Sequence, residues 1–308
     1  MGQRRFAAAA VFFVAALLAM AGCQKQQTAV PATSAASPAV PSIASLVPAA
    51  TDMILGMGMR DHLVAVSTYD TARPDAAGLP AAGDYATIDW EQLSRLRPQV
   101  MVLQMDPQRI PAGLKDKAAS LGITTVNFHL DRLDDVFAEM TALGDTLHEP
   151  AKAAAAVSVL HQKLDAIQKQ SSTRPAVKTL LAMDDGSGTS GKGLVGPGTF
   201  LDDLLHVAGG VNAAEPLHAM YPTVDDEMLA TLKPDVVILL MPGASATLVA
   251  KAKDSWKKFT TMPAVRDGRV CVLTESYVLL GASHVGEVAD AMAGCLLPGS
   301  PTSTGVGR

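Results

Sequence analysis

Aromatic side chains are scarce in this chain: two Trp, four Tyr and seven Phe among 308 residues. Any surface that works through flat rings must therefore draw on a handful of positions. Charge is sparse as well, at 18% of residues against about 25% in an average protein. The net charge of −5 carries no basic excess, which excludes a nucleic-acid binder needing a cationic stripe to displace counterions. Three cysteines are too few for a disulfide-built scaffold. The seven histidines, at 62, 129, 148, 161, 206, 218 and 284, show no close pairing at metal-ligand spacing, so no metal site is expected. No nucleophile elbow or zinc-protease helix occurs, and the chain is not expected to be an enzyme or to hold a resident cofactor. With 48% apolar residues there is ample material for a core, which excludes disorder of the bulk. The length suits two folding units.

What is present begins with a leader. Arg4 and Arg5 precede an apolar run, Phe6 to Met20, too short to span a bilayer comfortably. It ends in Met20-Ala21-Gly22-Cys23, which resembles a bacterial lipobox with Met20 where leucine is usual. This predicts removal of residues 1–22, a lipid on Cys23 and an exported protein anchored to a membrane. An ordinary secretory leader cut after a small residue is the alternative, and export follows from either. Residues 23–41, rich in Gln, Ala, Ser, Thr and Pro, read as a flexible tether, and 298–308 as a disordered tail.

An internal repeat organises the rest. Tyr85, Thr87, Asp89, Glu91, Leu93, Leu96, Pro98 and Val100 recur as Tyr221, Thr223, Asp225, Glu227, Leu229, Leu232, Pro234 and Val236, at a constant offset of 136 residues. Each copy predicts a helix capped by its aspartate, with the glutamate in the positively polarised first turn. The helix stops before the proline, whose predecessor is steered out of helical backbone. Apolar runs follow, Val100–Leu103 and Val236–Leu240, suited to parallel strands covered on both faces. Further strands are predicted near 43–47, 63–67, 123–128, 178–183 and 269–273. Between the copies, Leu133 to Gln170 reads as helical apart from a break at His148-Glu149-Pro150, and the second helix would be about 30 Å long. The expected fold is therefore α/β: an N-terminal lobe (42–131) and a C-terminal lobe (175–297) of similar build. Each is built on a central, mainly parallel sheet, and a helical connector (132–174) joins them through one long backbone helix.

Several segments in order resemble the helical-backbone substrate-binding proteins of ABC importers, the branch carrying vitamin B12, haem and ferric siderophores. They are Ser42-Ile-Ala-Ser-Leu-Val-Pro-Ala-Ala-Thr-Asp-Met-Ile-Leu-Gly-Met-Gly58, Val64-Ala-Val-Ser-Thr-Tyr69, Gly198 to Asn212, and Trp256 with Pro263 to Val270. The resemblance covers about residues 42–297. It implies a monomer that holds a small-molecule ligand between its lobes and hands it to a permease served by an ATPase. It also implies that Glu91 and Glu227, one per lobe, dock onto permease arginines; complementing helix dipoles is the plainer role of both.

All four tyrosines, Tyr69, Tyr85, Tyr221 and Tyr277, fall in predicted loops after strands or before the repeated helices. Such loops form the mouths of α/β lobes, and an aromatic face with a hydroxyl suits a large, flat, partly polar ligand. The four positions resemble those of aromatic pocket residues in vitamin B12-binding members, although tryptophan is frequent there. Cobalamin or a related corrinoid is the expected cargo. Haem would resemble the use of a tyrosine near Tyr85 as iron ligand, but Gly83-Asp-Tyr-Ala-Thr87 offers a carboxylate and no arginine to the propionates. Ferric siderophores, often anionic, also want cations, and only Arg73 and Lys192 are candidates. An exported sensor or scaffold without transport is the reading from another class.

Gly186-Ser-Gly-Thr-Ser-Gly-Lys-Gly193 nearly spells a P-loop, but Gly193 stands where a magnesium-holding hydroxyl is needed, so a glycine-rich loop at the cleft rim is expected. His218, near Tyr221, is the one histidine to watch as a ligand contact; His206, on an apolar helix, is expected to be a hydrogen-bonded core residue. Cys271, on a predicted strand, and Cys295, on the last helix, could be bridged in an oxidising compartment, and neither resembles a catalytic cysteine.

Overall fold

The computed structural model describes residues 40–183 and 192–299. The leader, Cys23 and almost all of the tether, most of the glycine-rich segment, and nearly all of the tail lie outside the described residues.

The N-terminal lobe runs β1 (Ile43–Ser45), α1 (Pro48–Gly56), β2 (Leu63–Ala65), α2 (Trp90–Leu96), β3 (Val100–Leu103), α3 (Leu114–Ser120) and β4 (Thr124–Asn127). Its four strands form one parallel sheet in the order β2-β1-β3-β4. Two helices follow, α4 (Leu133–Thr146) and α5 (Pro150–Ser171). His148, at φ 59°, makes the break between them, and Pro150 opens α5 where its missing N–H costs nothing. The 22 residues of α5 span about 33 Å.

The C-terminal lobe runs β5 (Val177–Met183), β6 (Lys192–Leu194), α6 (Phe200–Val207), β7 (Gly210–Asn212), β8 (Thr223–Val224), α7 (Asp226–Thr231), β9 (Val236–Leu240), α8 (Ala246–Trp256), α9 (Pro263–Arg266), β10 (Val270–Leu273) and α10 (Val285–Leu296). Its six-stranded sheet has the order β10-β9-β5-β6-β8, with β7 pairing β5. β5, β7, β9 and β10 are joined by parallel pairings, whereas β6 is antiparallel to both β5 and β8. These short strands are too brief to leave a hydrophobic period in the sequence. Lys192 and Gly193 thus continue into a strand, and no helix N-terminus follows them to face a phosphate.

The repeat is built twice in detail. Asp89 caps α2 by accepting from the Gln92 amide (2.8 Å), and Asp225 caps α7 by accepting from the Met228 amide (2.8 Å). Arg97 (φ 48°) and Lys233 (φ 43°), equivalent in the two copies, adopt left-handed backbone immediately before Pro98 and Pro234. The strands after them explain the continuous apolar runs. Val100 and Val102 face a core shared by both lobes, whereas Met101 and Leu103 face a second cluster under α2 and α3. Likewise Ile238 and Leu240 face the shared core, and Val237 and Leu239 pack on Trp256 and Phe259. A two-residue period buries both faces.

That shared core positions the site. Met53 of α1, Phe137 and Met140 of α4, Leu160 and Leu164 of α5, Phe200 and Leu204 of α6, and Val288 and Met292 of α10 are one buried apolar cluster. Cys271 of β10 and Cys295 of α10 also lie in it and are joined by a disulfide, Cα to Cα 6.0 Å.

Candidate functional site

The site is built around a buried polar patch where the N-terminal lobe's strands end. Pro48 starts α1 at its first turn, and this short helix is buried along Ala49–Ile54, including Thr51 and Asp52. An ionised carboxylate that is 1% exposed needs compensation. Arg73 donates to Asp52 Oδ1 (2.9 Å), the Ser283 amide donates to Oδ2 (3.0 Å), and His284 Nδ1 stands 3.0 Å from Oδ2. Burial alone would raise the Asp52 carboxyl, but His284 and Arg73 together hold it below the usual carboxylate range. Next to it, the Thr51 hydroxyl donates to Asp70 (2.8 Å). Asp70 makes no ion pair among the described residues, and burial pushes its carboxyl up against the Thr51 hydrogen bond and the charge of Arg73.

Asp70 closes the turn that presents Tyr69. The neighbouring loop presents Tyr85 through a compact set of bonds. Asp84 accepts from the Ala86 and Thr87 amides (2.8 and 2.9 Å) and from the Thr68 hydroxyl (3.0 Å), which holds its carboxyl below the ordinary value. The Thr68 amide donates to Gly83 (2.9 Å). Gly83 sits at φ 105°, and a Cβ there would stand 2.1 Å from the Thr87 carbonyl oxygen, so only glycine fits. Because Thr68 and Asp84 are tied together, Tyr69 and Tyr85 stand side by side. Their rings are 6.1 Å apart and 13° from parallel, and they are 60% and 55% exposed. Hydrogen bonding to Tyr85 pushes the Tyr69 phenol up.

Tyr277 lies on the loop after β10 and stacks on the His284 imidazole at 4.3 Å and 14°. Burial, with the charges of Glu275, Glu287 and Asp52, pushes its phenol up. Three of the four tyrosines are thereby strung along one network, from Tyr85 through Tyr69, Asp70, Thr51, Asp52 and His284 to Tyr277. Tyr221 is not part of it. Its loop is held by backbone bonds from Leu194 to Pro222 and from Gly196 to Met220, and partial burial and the Asp131 carboxylate push its phenol up.

Glu91 and Glu227 stand exposed in the first turns of α2 and α7, and neither makes an ion pair among the described residues. Of the two cations expected near the cleft, Arg73 is committed to Asp52 and to Asp75 (2.9 Å each). Lys192 is buried on β6, 6.0 Å from the Trp256 ring centre, which corrects its expected place at the rim. His206 is also corrected: its ring is mostly exposed, with Nδ1 2.7 Å from the Asp202 carbonyl oxygen, because it points off the apolar side of α6. His218 is exposed in left-handed backbone. Among the described residues no cluster of three or more His, Cys, Asp or Glu could hold a metal ion, and no helix is long and apolar enough to cross a membrane.

Sequence reasoning missed Asp52, Asp70 and His284. The available signal was one aspartate inside the apolar run Pro48–Gly56, which forces the question of what pairs it. It also missed a cavity of about 300 Å³ beside the Tyr85 loop, lined by Ala86, Trp90, Met105 and Leu114, where the Lys117 ammonium lies 4.6 Å from the Trp90 ring centre.

Comparison with known proteins agrees with this architecture. The chain is 24% identical over 226 residues to the vitamin B12-binding protein of Pectobacterium atrosepticum, covering 72% of this chain and 78% of that one. The crystal structure of the periplasmic vitamin B12 binding protein of Vibrio cholerae superposes with a TM-score of 0.68 at 22% identity, covering 83% of this chain and 96% of that one. A periplasmic heme binding protein from Pseudomonas aeruginosa superposes with a TM-score of 0.69 at 23% identity, covering 85% and 94%. Residues 43–277 match the periplasmic binding protein family, and the chain belongs to that family of substrate-binding proteins, which are not enzymes.

Proposed function

We propose that the protein captures cobalamin or a related corrinoid between its lobes and delivers it to an ABC import permease. The observation that carries this reading is the exposed, nearly parallel pair Tyr69 and Tyr85. It offers flat apolar area with hydroxyl edges and brings no charge. Arg73, the cation closest to it in the chain, already neutralises two carboxylates, so an anionic ligand finds poor reception while an amide-rich neutral corrin loses nothing. Relatives named as vitamin B12-binding proteins support the same cargo.

Haem is the second reading, favoured by the likeness to a periplasmic heme binding protein and by the position of Tyr85. Against it, propionates would have to displace Asp52 and Asp75 from Arg73. Calorimetric titration with cyanocobalamin, then with haemin under identical conditions, separates the two. Saturable one-to-one cobalamin binding is expected, weakened roughly two- to tenfold by Tyr69→Ala or Tyr85→Ala, the worth of one aromatic contact. No cobalamin heat, with a haemin absorbance band lost in Tyr85→Phe, moves the assignment to haem.

In this reading Tyr221 and Tyr277 complete the ligand contacts, Glu91 and Glu227 present the loaded protein to the permease, and Cys23 carries the lipid that keeps it at the membrane. Glu91→Ala with Glu227→Ala should abolish uptake and spare binding; unchanged uptake removes the docking role. Cys23→Ala should move the protein from the membrane fraction to the soluble one.

A further inference from the structure

Ser283 and His284 lie just before α10 in the C-terminal lobe, yet their polar atoms converge on one residue of α1 in the N-terminal lobe. The Ser283 amide donates to Asp52 Oδ2 (3.0 Å), its hydroxyl donates to the Asp52 carbonyl oxygen (2.9 Å), and His284 Nδ1 stands 3.0 Å from the same Oδ2. Gly56 permits this approach, since a Cβ there would stand 2.1 Å from Ser283 Oγ. The His284 ring is in turn the surface on which Tyr277 lies flat. One imidazole therefore links a tyrosine of one lobe to a buried carboxylate of the other.

The charged groups around His284 come from every packed element. Asp52 reaches it from α1, Arg73 from the segment after β2, and Glu287 from the first turn of α10. Glu275 acts on the stacked Tyr277. Arg73 is shared between Asp52 and Asp75, and Glu287 is paired with Lys163 of α5 at 2.7 Å. Asp52 is thus the direct counter-ion of a protonated His284, and it keeps Arg73 as a partner when that proton leaves.

We propose that His284 is the positioning residue for Tyr277 and a proton-gated clasp between the lobes. As imidazolium it grips Asp52 and holds the tyrosine ring; once neutral it relaxes both. A charge-assisted hydrogen bond is roughly twice as strong as a neutral one. The neutral ring can still donate through Nδ1, so the clasp loosens by degrees and does not spring open. The hydrogen bond and charge of Asp52 outweigh burial and raise the affinity of His284 for its proton above the ordinary value of 6.5. A folded-state value above the unfolded one gives stability that is complete below pH 6.5 and is lost as pH rises through the folded value. The clasp thus loosens as pH rises above 6.5 and passes through the folded value.

The clasp is tested without ligand, and only its consequence for binding rests on the assignment of Tyr277 as a ligand contact. NMR titration of the full-length protein should find His284 titrating above 6.5, and Asp52→Asn should remove that elevation. His284→Gln keeps an amide donor but cannot titrate. From pH 6 to pH 9 the thermal midpoint of wild type should fall more than that of His284→Gln. With cyanocobalamin as probe, wild-type affinity should fall on the order of three- to tenfold over that range, and that of His284→Gln should stay flat. A His284 titrating at or below 6.5, or identical midpoint profiles for the two proteins, overturns the clasp. Absence of cobalamin binding at every pH overturns the ligand assignment and leaves the clasp to be decided by the ligand-free titration.

Discussion

The disulfide between Cys271 and Cys295 closes a loop with a sequence separation of 24, and that loop contains Tyr277, Ser283 and His284. Cross-linking residues this far apart removes unfolded-chain entropy worth about 3.4 kcal/mol at 25 °C. For a folded body of this size one kcal/mol moves the thermal midpoint by roughly 2 °C, so losing the bond should lower it by about 7 °C. The double variant Cys271→Ala, Cys295→Ala avoids placing hydroxyls among Val272, Leu273 and Met292, which are buried. Its melt should match that of wild type in reductant, to within the small packing loss of two sulfurs. Because β10 and α10 hold the two ends of the loop, amide hydrogen exchange across 274–284 should also rise more than exchange in the N-terminal sheet. A midpoint change under 1 °C, with exchange in 274–284 unaltered, would refute both the entropic accounting and the idea that the bond braces this loop.

Asp52→Asn leaves Arg73 and His284 facing a neutral amide at a site 1% exposed, and should cost roughly 3–5 kcal/mol in urea unfolding at pH 7. Since the folded Asp52 carboxyl is held below its ordinary value, that stability is present above the unfolded value of about 4 and is lost as pH falls through the folded value. The gap between wild type and variant should therefore narrow in strongly acid solution. Asp70→Asn should do the reverse. The Asp70 carboxyl is raised, so its ionised form opposes folding at neutral pH, and the amide oxygen can still accept from Thr51; the midpoint should rise at pH 7 and not at pH 3. Trp256→Ala, at a fully buried position packed on Phe259, should cost roughly 3–5 kcal/mol while leaving cobalamin titration unchanged if the protein is assayed well below its midpoint.

Much of the fold was legible because both sheets are buried on two faces. Val100–Leu103 and Val236–Leu240 are apolar at every position, and the prolines at 98 and 234 mark where the preceding helices stop. The capping aspartates 89 and 225 were readable for the same local reason. What escaped was non-local. β6, β7 and β8 have two or three residues each, and their pairing is set by non-local neighbours, β5 for β6 and β7 and β6 for β8. His206 looked internal because α6 is apolar on most sides, and only the packing direction reveals its exposure. The tyrosines could be nominated from loop placement, but the bonds that bring Tyr69 beside Tyr85 run through Thr68, Asp84 and Gly83, none of them distinctive in sequence. Asp52 and His284 are separated by 232 residues, a distance across which no local pattern can speak.

The placement of the apolar core bears on how the lobes can move. Were each lobe to own a separate core, a wide opening would cost only the contacts at the cleft. Here α1, α4, α5, α6 and α10 contribute to one buried cluster together with strands of both sheets. A swing large enough to part Met53 and Phe137 from Phe200 and Val288 would expose several side chains worth about 1.5–3 kcal/mol each, more than small-ligand binding readily supplies against its own costs. Arg132 of the connector adds to the resistance, with Nε 2.8 Å from Asp203 of α6. Motion on binding should therefore concentrate in the Tyr85 loop, closed by surface hydrogen bonds, and in the Tyr277 and His284 ends of the segment from Glu275 to His284, whose middle is anchored in the shared core by Val278 and Ala282. Ligand-dependent protection from hydrogen exchange confined to these two segments is the expected signature. Protection spread evenly through α4, α5 and α10 would mean that the core itself rearranges and that the lobes open as separate bodies.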